Sequence, residues 1–234
     1  MKILAIETAT EACSAALLAD DKIISRFQLA PREHTKLILP MMDEVLDEAS
    51  VVLNELDAIA FSRGPGAFTG LRIAAGVAQG VALSADILVV PVSTLAALAL
   101  QAYLLDETAE IIIAALDARM GEVYWATFMI LDGNVVLKDE ENVSTLEVML
   151  EVAYSHQENS VIVVGTGWDA YEEVLFNEGV PNNINYIKQQ YPQADAIAKL
   201  AMPLFMAGKA VAPENAQPVY IRNKVAEKSK NKFI

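Results

Sequence analysis

The chain carries few polar residues whose types and spacing could do chemistry. The clearest pair is Asp117 and Arg119, in the stretch LDARMGEVY. Asp117 is predicted to end a buried strand, which puts both side chains at the edge of a sheet. There they either brace the following hairpin as a structural pair or point into a cleft. Both interpretations stay open, and neither residue is assigned a catalytic role.

Two glycine-rich segments could bring the backbone close to a ligand. The first, residues 64–70, precedes an apolar helix, and free N–H groups at a helix start attract anions. Its spacing matches neither GxxxxGK[ST] nor a GxGxxG that opens directly into a helix, and no lysine follows the glycines. A structural turn is therefore favoured over phosphate binding. The second segment, residues 165–167, is either the adenosine side of a cleft or a tight strand-to-helix turn.

Metal chemistry and covalent catalysis are not indicated. His34 and His156 lie far apart, and the chain has neither an H-x-x-x-H motif nor a cysteine cluster. Cys13, the single cysteine, lies in an apolar strand and is interpreted as a core residue rather than a nucleophile. No serine stands in G-x-S-x-G. We therefore expect no metal and no cofactor, and leave nucleotide binding open.

The formal net charge is −14, from 17 basic and 31 acidic residues. Affinity for nucleic acid depends on phosphate neutralisation by Lys and Arg, so the chain alone is a poor candidate for the main RNA-binding subunit. The exception is a basic tail of Arg222, Lys224, Lys228, Lys230 and Lys232. This tail is either a solvated end or a segment that lies along a partner or touches RNA held by one.

Hydrophobic residues make up 54% of the chain, and the mean hydropathy is +0.32. No apolar run reaches the roughly 18 residues that a membrane span needs. Glu7 stands where a signal peptide would stay apolar, and a single cysteine fits a reducing compartment. We therefore expect a cytoplasmic protein without a membrane contact, whose excess apolar content hints at a partner surface.

The order of predicted elements repeats along the chain. Strands over 2–7, 13–18 and 22–29, the last two joined by the turn Asp20-Asp21, precede a helix over 34–49 and a strand over 56–61. Next come a helix over 71–83, a strand over 87–90 and a helix over 93–105, which Ser93 or Thr94 caps. Three strands then recur, over 111–116, 123–130 and 135–138. A helix over 145–153, a strand over 161–164 and helices over 168–177 and 195–207 follow.

This repeat predicts two similar α/β lobes, each a mixed sheet flanked by helices, with a cleft between them. We expect residues 1–106 to form the first lobe, with 213–234 returning to it, and residues 107–212 to form the second. Six residues could line a nucleotide site in the cleft: Glu7, Thr8, Asp117, Arg119, Gly165 and Gly167.

The helix over 71–83, which Thr69 could cap, has almost no polar face. It is either a central core helix or a helix buried partly by a second protein. Gly76 and Gly80, one turn apart, would let another helix approach closely. The helix over 34–49, bent by or starting near Pro40, is a second interface candidate. The candidate partner interface comprises Leu37, Met41, Met42, Val45, Leu71, Ala75, Gly76, Ala78 and Gly80.

Five motifs spread over nearly the full length carry a resemblance. They are ILAIETAT, REHTKLILPMM, SRGPGAFTGLRIAAGVAQGVA, DARMGEVY and PVYIRN at 218–223. In these motifs the chain resembles the bacterial TsaB (YeaZ) family. The resemblance implies a duplicated actin/hexokinase-like fold and a role in making threonylcarbamoyladenosine beside the anticodon of tRNAs that read codons starting with A.

The resemblance also implies partners. In that family the catalytic subunit is the paralogue TsaD, which carries a metal through an H-x-x-x-H helix, and the ATPase TsaE is the third component. The corresponding helix here, over 93–105, has no histidine. We therefore expect a non-catalytic partner that pairs with TsaD, forms a homodimer when alone and meets tRNA only through the complex.

Two other functions remain as alternatives. A small-metabolite kinase of the same fold would need an Asp and glycines in the turn after the first strand. Here that turn has Glu7 and no glycine. A peptidase, an old label for the wider family, would need a nucleophile or a metal site, and the sequence indicates neither.

Overall fold

The computed structural model describes residues 1–20, 22–172 and 181–222. The strands are β1 Lys2–Glu7, β2 Ala12–Ala19, β3 Lys22–Leu29, β4 Ala58–Gly64, β5 Leu88–Ser93, β6 Ile111–Arg119, β7 Glu122–Leu131, β8 Asn134–Leu137, β9 Asn142–Thr145, β10 Val161–Val164 and β11 Ile184–Ile187. The helices are α1 His34–Ala49, α2 Phe68–Ala85, α3 Thr94–Leu105, α4 Leu146–Ser155, the single turn α5 Thr166–Asp169 and α6 Ala194–Met206.

Some predicted features lie outside the described residues. These are Asp21 of the predicted β2–β3 turn, the end of the predicted helix over 168–177, Asn223 of the last motif, and Lys224, Lys228, Lys230 and Lys232 of the tail.

The strands form two mixed sheets with the same order. The first runs β3-β2-β1-β4-β5 and the second β8-β7-β6-β10-β11, with β9 pairing β7 off this path. In each sheet the first three strands are antiparallel neighbours, and the other two continue parallel to the central one. The predicted duplicated α/β architecture with two mixed sheets is confirmed. Strands β9 and β11, four residues each, are additions to the prediction.

Helices cover both faces of the first sheet. On one face α1 and α2 pack against the side chains of Leu4, Leu17 and Ile59. On the other face the small side chains of α6 pack around Ile3 and Ala5. Helix α6, which follows the second sheet in the chain, therefore belongs to the core of the first sheet. The chain thus returns to the first sheet before residue 213, where the return was expected. The division into lobes at residues 106 and 107 stays a prediction.

The chain after α6 stays with the first sheet. Val89 and Val211 exchange backbone hydrogen bonds of 2.9 and 2.8 Å. Further along, the Gln79 amide donates to the carbonyl oxygen of Ala216 over 3.0 Å, and the Val219 N–H donates to that of Arg63 over 2.7 Å. The described C-terminal segment is thus tied to β5, α2 and β4.

Helix α2 starts at Phe68, after Ala67 as N-cap, and Thr69 lies in its first turn without a capping hydrogen bond. The prediction of a Thr69 cap is wrong because a backbone contact fixes the start of the helix: the Ala67 N–H donates to the Ala9 carbonyl oxygen over 2.7 Å. Helix α3 does have the expected Ser93 cap, whose hydroxyl accepts from the Ala96 N–H over 3.1 Å.

Among the described residues, α2 is long and apolar enough, at 18 residues, to cross a membrane by length and composition. Core helices of water-soluble proteins meet the same criterion. One third of α2 is buried against the rest of the chain. Leu71, Ala74, Ala78 and Ala82 form that buried side. Its other side is exposed.

Candidate functional site

A cleft of about 330 Å³ lies where the two sheets meet. The turn after β1, the glycine-rich loop before α2, the end of β6 and α5 all contribute to its walls. Two of the expected residues, Asp117 and Arg119, line it. The structure adds Thr10, Glu11 and Asp169, which the sequence reasoning did not single out.

Asp117 and Arg119 have separate roles rather than forming a side-chain pair. The Asp117 carboxylate accepts from the backbone N–H of Arg119 over 2.8 Å, which braces the β6–β7 turn. The Arg119 guanidinium, 79% exposed, lies 3.8 Å from the Glu11 carboxylate on the other side of the cleft. The hairpin is thus braced through the backbone, and the guanidinium is free to reach across the cleft.

Glu7 and Thr8 stand behind the cleft and do not line it. Glu7 is fully buried; its Oε1 accepts from the Ala9 N–H, and its Oε2 has no hydrogen-bond partner in the described chain. Burial raises the pKa of this carboxyl to about 7. The Thr8 hydroxyl donates to the carbonyl oxygen of Gly70 over 2.7 Å. Both side chains are used inside the protein: Glu7 braces the turn after β1, and Thr8 ties that turn to the start of α2.

Gly165 and Gly167 serve close packing at the edge of the cleft. A Cβ on Gly165, whose φ is +106°, would lie 2.3 Å from the Ala115 carbonyl oxygen, and one on Gly167 would lie 2.9 Å from the Ala115 Cβ. Thr166 between them lines the cleft, and its hydroxyl accepts from the Asp117 N–H over 3.2 Å. This geometry favours the tight strand-to-helix turn over the nucleotide-facing interpretation.

The charge of the cleft disfavours a bare phosphate. Three carboxylates, of Glu11, Asp117 and Asp169, face one guanidinium, that of Arg119. Asp169 is partly engaged, since it accepts from the Tyr186 hydroxyl and from the Gln189 N–H. In the described part of the chain no group of three or more His, Cys, Asp or Glu residues could hold a metal ion. Glu11 could have been identified from the sequence, because it lies in the same TATEA turn as Thr8.

The candidate partner interface divides into buried and exposed residues. Six of its members are buried inside the protein and offer no surface to another protein: Met41, Met42, Val45, Leu71, Ala75 and Ala78. All but Leu71 belong to the core of the first sheet, because helical periodicity turns them toward the sheet together with Ile38 and Ala74. Leu37 is half-buried, and Gly76 and Gly80 are exposed.

The exposed glycines belong to a stripe along the outer side of α2, which we call the α2 face: Phe68, Arg72, Gly76, Gly80 and Leu83. Phe68 is 51% exposed and Leu83 68%. A Cβ on either glycine would meet no described atom within 4 Å. The two glycines therefore leave a shallow strip, with Phe68 and Arg72 at one end and Leu83 at the other.

An aromatic contact fixes the first turn of the α2 face. The Arg72 guanidinium lies 3.3 Å from the ring centroid of Phe68, and the Tyr220 ring lies 5.7 Å from the same centroid. The cation–π contact orients Arg72 along the helix surface. Tyr220 brings the described C-terminal segment, which ends at Arg222, to this end of α2.

Comparisons with known proteins cover nearly the whole chain. Residues 22–230 match a family model described as TsaD, tRNA N6-adenosine threonylcarbamoyltransferase. The chain is 41% identical over 231 residues to the tRNA threonylcarbamoyladenosine biosynthesis protein TsaB of Escherichia coli (strain K12), covering 97% of each chain. It is 39% identical to the protein of the same name from Haemophilus influenzae, covering 97% of this chain and 96% of the relative.

Among solved structures, YeaZ from Pseudomonas aeruginosa superimposes with a TM-score of 0.84 at 42% identity. That superposition covers 94% of this chain and 99% of the other.

Proposed function

Because the chain belongs to the TsaB family, within the wider family described as TsaD, we propose that it serves threonylcarbamoyladenosine biosynthesis in tRNA as a non-catalytic partner of TsaD. The modified adenosine is the one beside the anticodon of tRNAs that read codons starting with A. TsaE is the third component, the complex rather than this chain holds the tRNA, and the chain works in the cytoplasm.

The non-catalytic role is supported by what α3 and the cleft contain. In TsaD the metal is carried by an H-x-x-x-H helix, whereas α3 has the sequence TLAALALQAYLL. The cleft presents more carboxylates than cations, and Glu7, at the place of a phosphate-loop acid, is fully buried. The transferase chemistry therefore belongs to the partner.

The α2 face is the observation that supports a partner role most strongly. An exposed apolar strip marks an interaction surface more often than an isolated exposed residue does. Glycines on consecutive turns, Gly76 and Gly80, would let a partner helix approach the α2 backbone, with Phe68 and Leu83 packing at the two ends. We infer that TsaD docks here, and that a second copy of the chain occupies the same strip when TsaD is absent.

Capture of the chain by tagged TsaD tests the proposal. Gly76→Arg places a large charged side chain in open space, so the variant is expected to fold while blocking the approach of a partner helix. The control is Val148→Arg, an equally drastic change at an exposed position on α4. We expect TsaD to capture the wild type and the control but to lose at least nine-tenths of Gly76→Arg.

The same preparations should be tested for activity with TsaD, TsaE and tRNA. Threonylcarbamoyl transfer is expected to fall in parallel with capture. Circular dichroism must first show that the Gly76→Arg variant keeps its helix and sheet content. A folded variant that TsaD captures as well as the wild type would place the interface elsewhere.

A further inference from the structure

A second cavity, separate from the cleft, lies between the edge strands β5 and β8. Its volume is about 580 Å³, within the range of small-molecule sites, and it shares no lining residue with the cleft. Helices α3 and α6 complete its walls. Most of the lining is apolar and includes Val92, Leu100, Phe128, Val135, Leu200 and Leu204.

One end of this cavity holds a buried ion pair. The Glu141 side chain is only 8% exposed, and its Oε2 lies 3.1 Å from a guanidinium nitrogen of Arg63. The Ser93 hydroxyl donates to its Oε1. A buried carboxylate needs such partners, and Arg63 neutralises its charge. The ion pair uses one nitrogen of a group with five N–H donors, so Arg63 retains donors for another acceptor.

Lys199 adds a positive charge that has no partner in the described part of the chain. Its half-buried side chain lines the cavity from α6, and the structure gives it no ion pair or side-chain hydrogen bond within residues 1–20, 22–172 and 181–222. With Arg63 balanced by Glu141, Lys199 is the cation of the cavity that has no partner among the described residues, and apolar walls surround it. An ammonium in such surroundings attracts an anion more strongly than one in open water.

We propose that this cavity binds a small organic acid with an apolar body. The acid group pairs with Lys199 and with the free donors of Arg63, and the body lies among the side chains of α3, α6 and β8. Because β5 and α3 come from the first half of the chain and β8 from the second, such a ligand contacts both halves. The site is independent of the proposed TsaD partnership.

Binding to the full-length chain can be measured with 8-anilinonaphthalene-1-sulfonate, a fluorescent aromatic anion. Octanoate and octanol, which differ in the charged head group, serve as competitors. We expect octanoate to displace the probe at concentrations at least tenfold lower than octanol. Equal potency of the two competitors, or no binding of the probe, would overturn the proposal.

Two variants locate the binding. Lys199→Met keeps the apolar stem and removes the charge, and its matched control is Lys209→Met, at an exposed lysine outside the cavity. Lys199→Met should weaken octanoate binding about tenfold and leave octanol unchanged, as expected for a lost charge-assisted contact. Ala96→Phe, which fills the cavity from α3, should abolish probe binding.

The same variants distinguish binding of the probe in this cavity from binding of the probe at the α2 face. If Ala96→Phe folds and still binds the probe, the site lies elsewhere and the proposal fails. If Ala96→Phe does not fold, Lys199→Glu decides, since a reversed charge should abolish octanoate binding. Wild-type affinity for octanoate in Lys199→Met or Lys199→Glu would refute the assignment of Lys199.

Discussion

The hydroxyl of Thr8 donates to the carbonyl oxygen of Gly70 over 2.7 Å, and no side chain on Gly70 keeps the two segments apart. A Cβ at Gly70 would lie 1.9 Å from the Thr8 carbonyl oxygen, a distance that no real side chain tolerates. The turn after β1 and the first turn of α2 are therefore one packed unit.

Three glycines of α2 should respond in opposite ways to the same substitution. Gly70→Ala forces a backbone clash and should destabilise the protein by about 3 kcal/mol, as overpacking does. Gly76→Ala and Gly80→Ala place a methyl group in open space and should each stabilise it by roughly 1 kcal/mol, the helix-propensity gain. Urea unfolding measures all three in the Leu83→Glu background, where no second copy is expected on α2. A destabilised Gly76→Ala in that background would mean that the α2 face is not open.

Glu7 should make stability depend on pH. Its pKa is about 7 in the folded chain, where burial raises it, against the ordinary value of 4.5. The folded state therefore binds more protons between these values, so this contribution is present below pH 4.5 and lost as pH rises to 7.

Glu7→Gln removes that dependence, because an amide stays neutral. Relative to wild type, the variant should gain stability on going from pH 5 to pH 8, by on the order of 3 kcal/mol. Unfolding curves of both proteins at the two pH values test this, and other titrating groups cancel in the comparison. A stability difference that stays the same at both pH values would contradict a neutral buried Glu7.

The isolated chain should self-associate through the α2 face. Light scattering behind size exclusion is expected to report a dimer for the wild type and a monomer for Leu83→Glu, because a dimer would bury the new carboxylate without a partner. Val148→Glu, an exposed position on α4, is the control and should leave the dimer intact. A dimeric, folded Leu83→Glu would move the contact away from α2.

Binding of tRNA to the chain alone should be weak and lost at moderate salt. The net charge of −14 repels phosphates, and the basic residues cluster only in the tail from Arg222 onward. Fluorescence anisotropy with labelled tRNA at 50 and 200 mM salt measures this, in the wild type and in a chain ending at residue 221. Tight binding by the shortened chain at the higher salt would contradict the prediction.

The purified chain should hold no stoichiometric transition metal and turn over no ATP. The sequence lacks His and Cys pairs, and the turn after β1 has no glycine. Elemental analysis after chelation and a phosphate-release assay are the measurements. Retention of about one zinc or iron per chain would restore the peptidase alternative, and steady ATP hydrolysis would restore the kinase alternative.

Structural features that depend on neighbouring residues in the chain could be predicted from the sequence, whereas features that depend on contacts between distant segments could not. Alternating and continuous apolar runs located the long strands, and the Ser93 cap followed from residue type. The orientation of α2 did not follow, since an almost wholly apolar helix gives no periodic signal for its inward side. Leu71 and Ala78 were thus placed at an interface, although both are buried inside the protein.

Local sequence patterns do not predict contacts between segments that are far apart in the chain. Lys199 and Arg63 line one cavity from segments far apart in the chain, and Glu141, which pairs with Arg63, follows a short strand among polar residues. Glu11 faces Arg119 across the cleft for the same reason. Such pairs depend on the packing of two sheets, which residue spacing does not encode.

The position of α6 has a consequence for how the chain is made. Synthesis runs from the N-terminus, so β1 to β5 are complete well before residues 194–206 leave the ribosome. Until then the side chains of Ile3, Ala5 and Val90 lack the cover that α6 gives them in the finished protein. A nascent chain whose synthesis pauses within the residues of the second sheet thus exposes an apolar surface that can aggregate or bind a chaperone. Docking of α6 is therefore the step that covers this side of the first sheet.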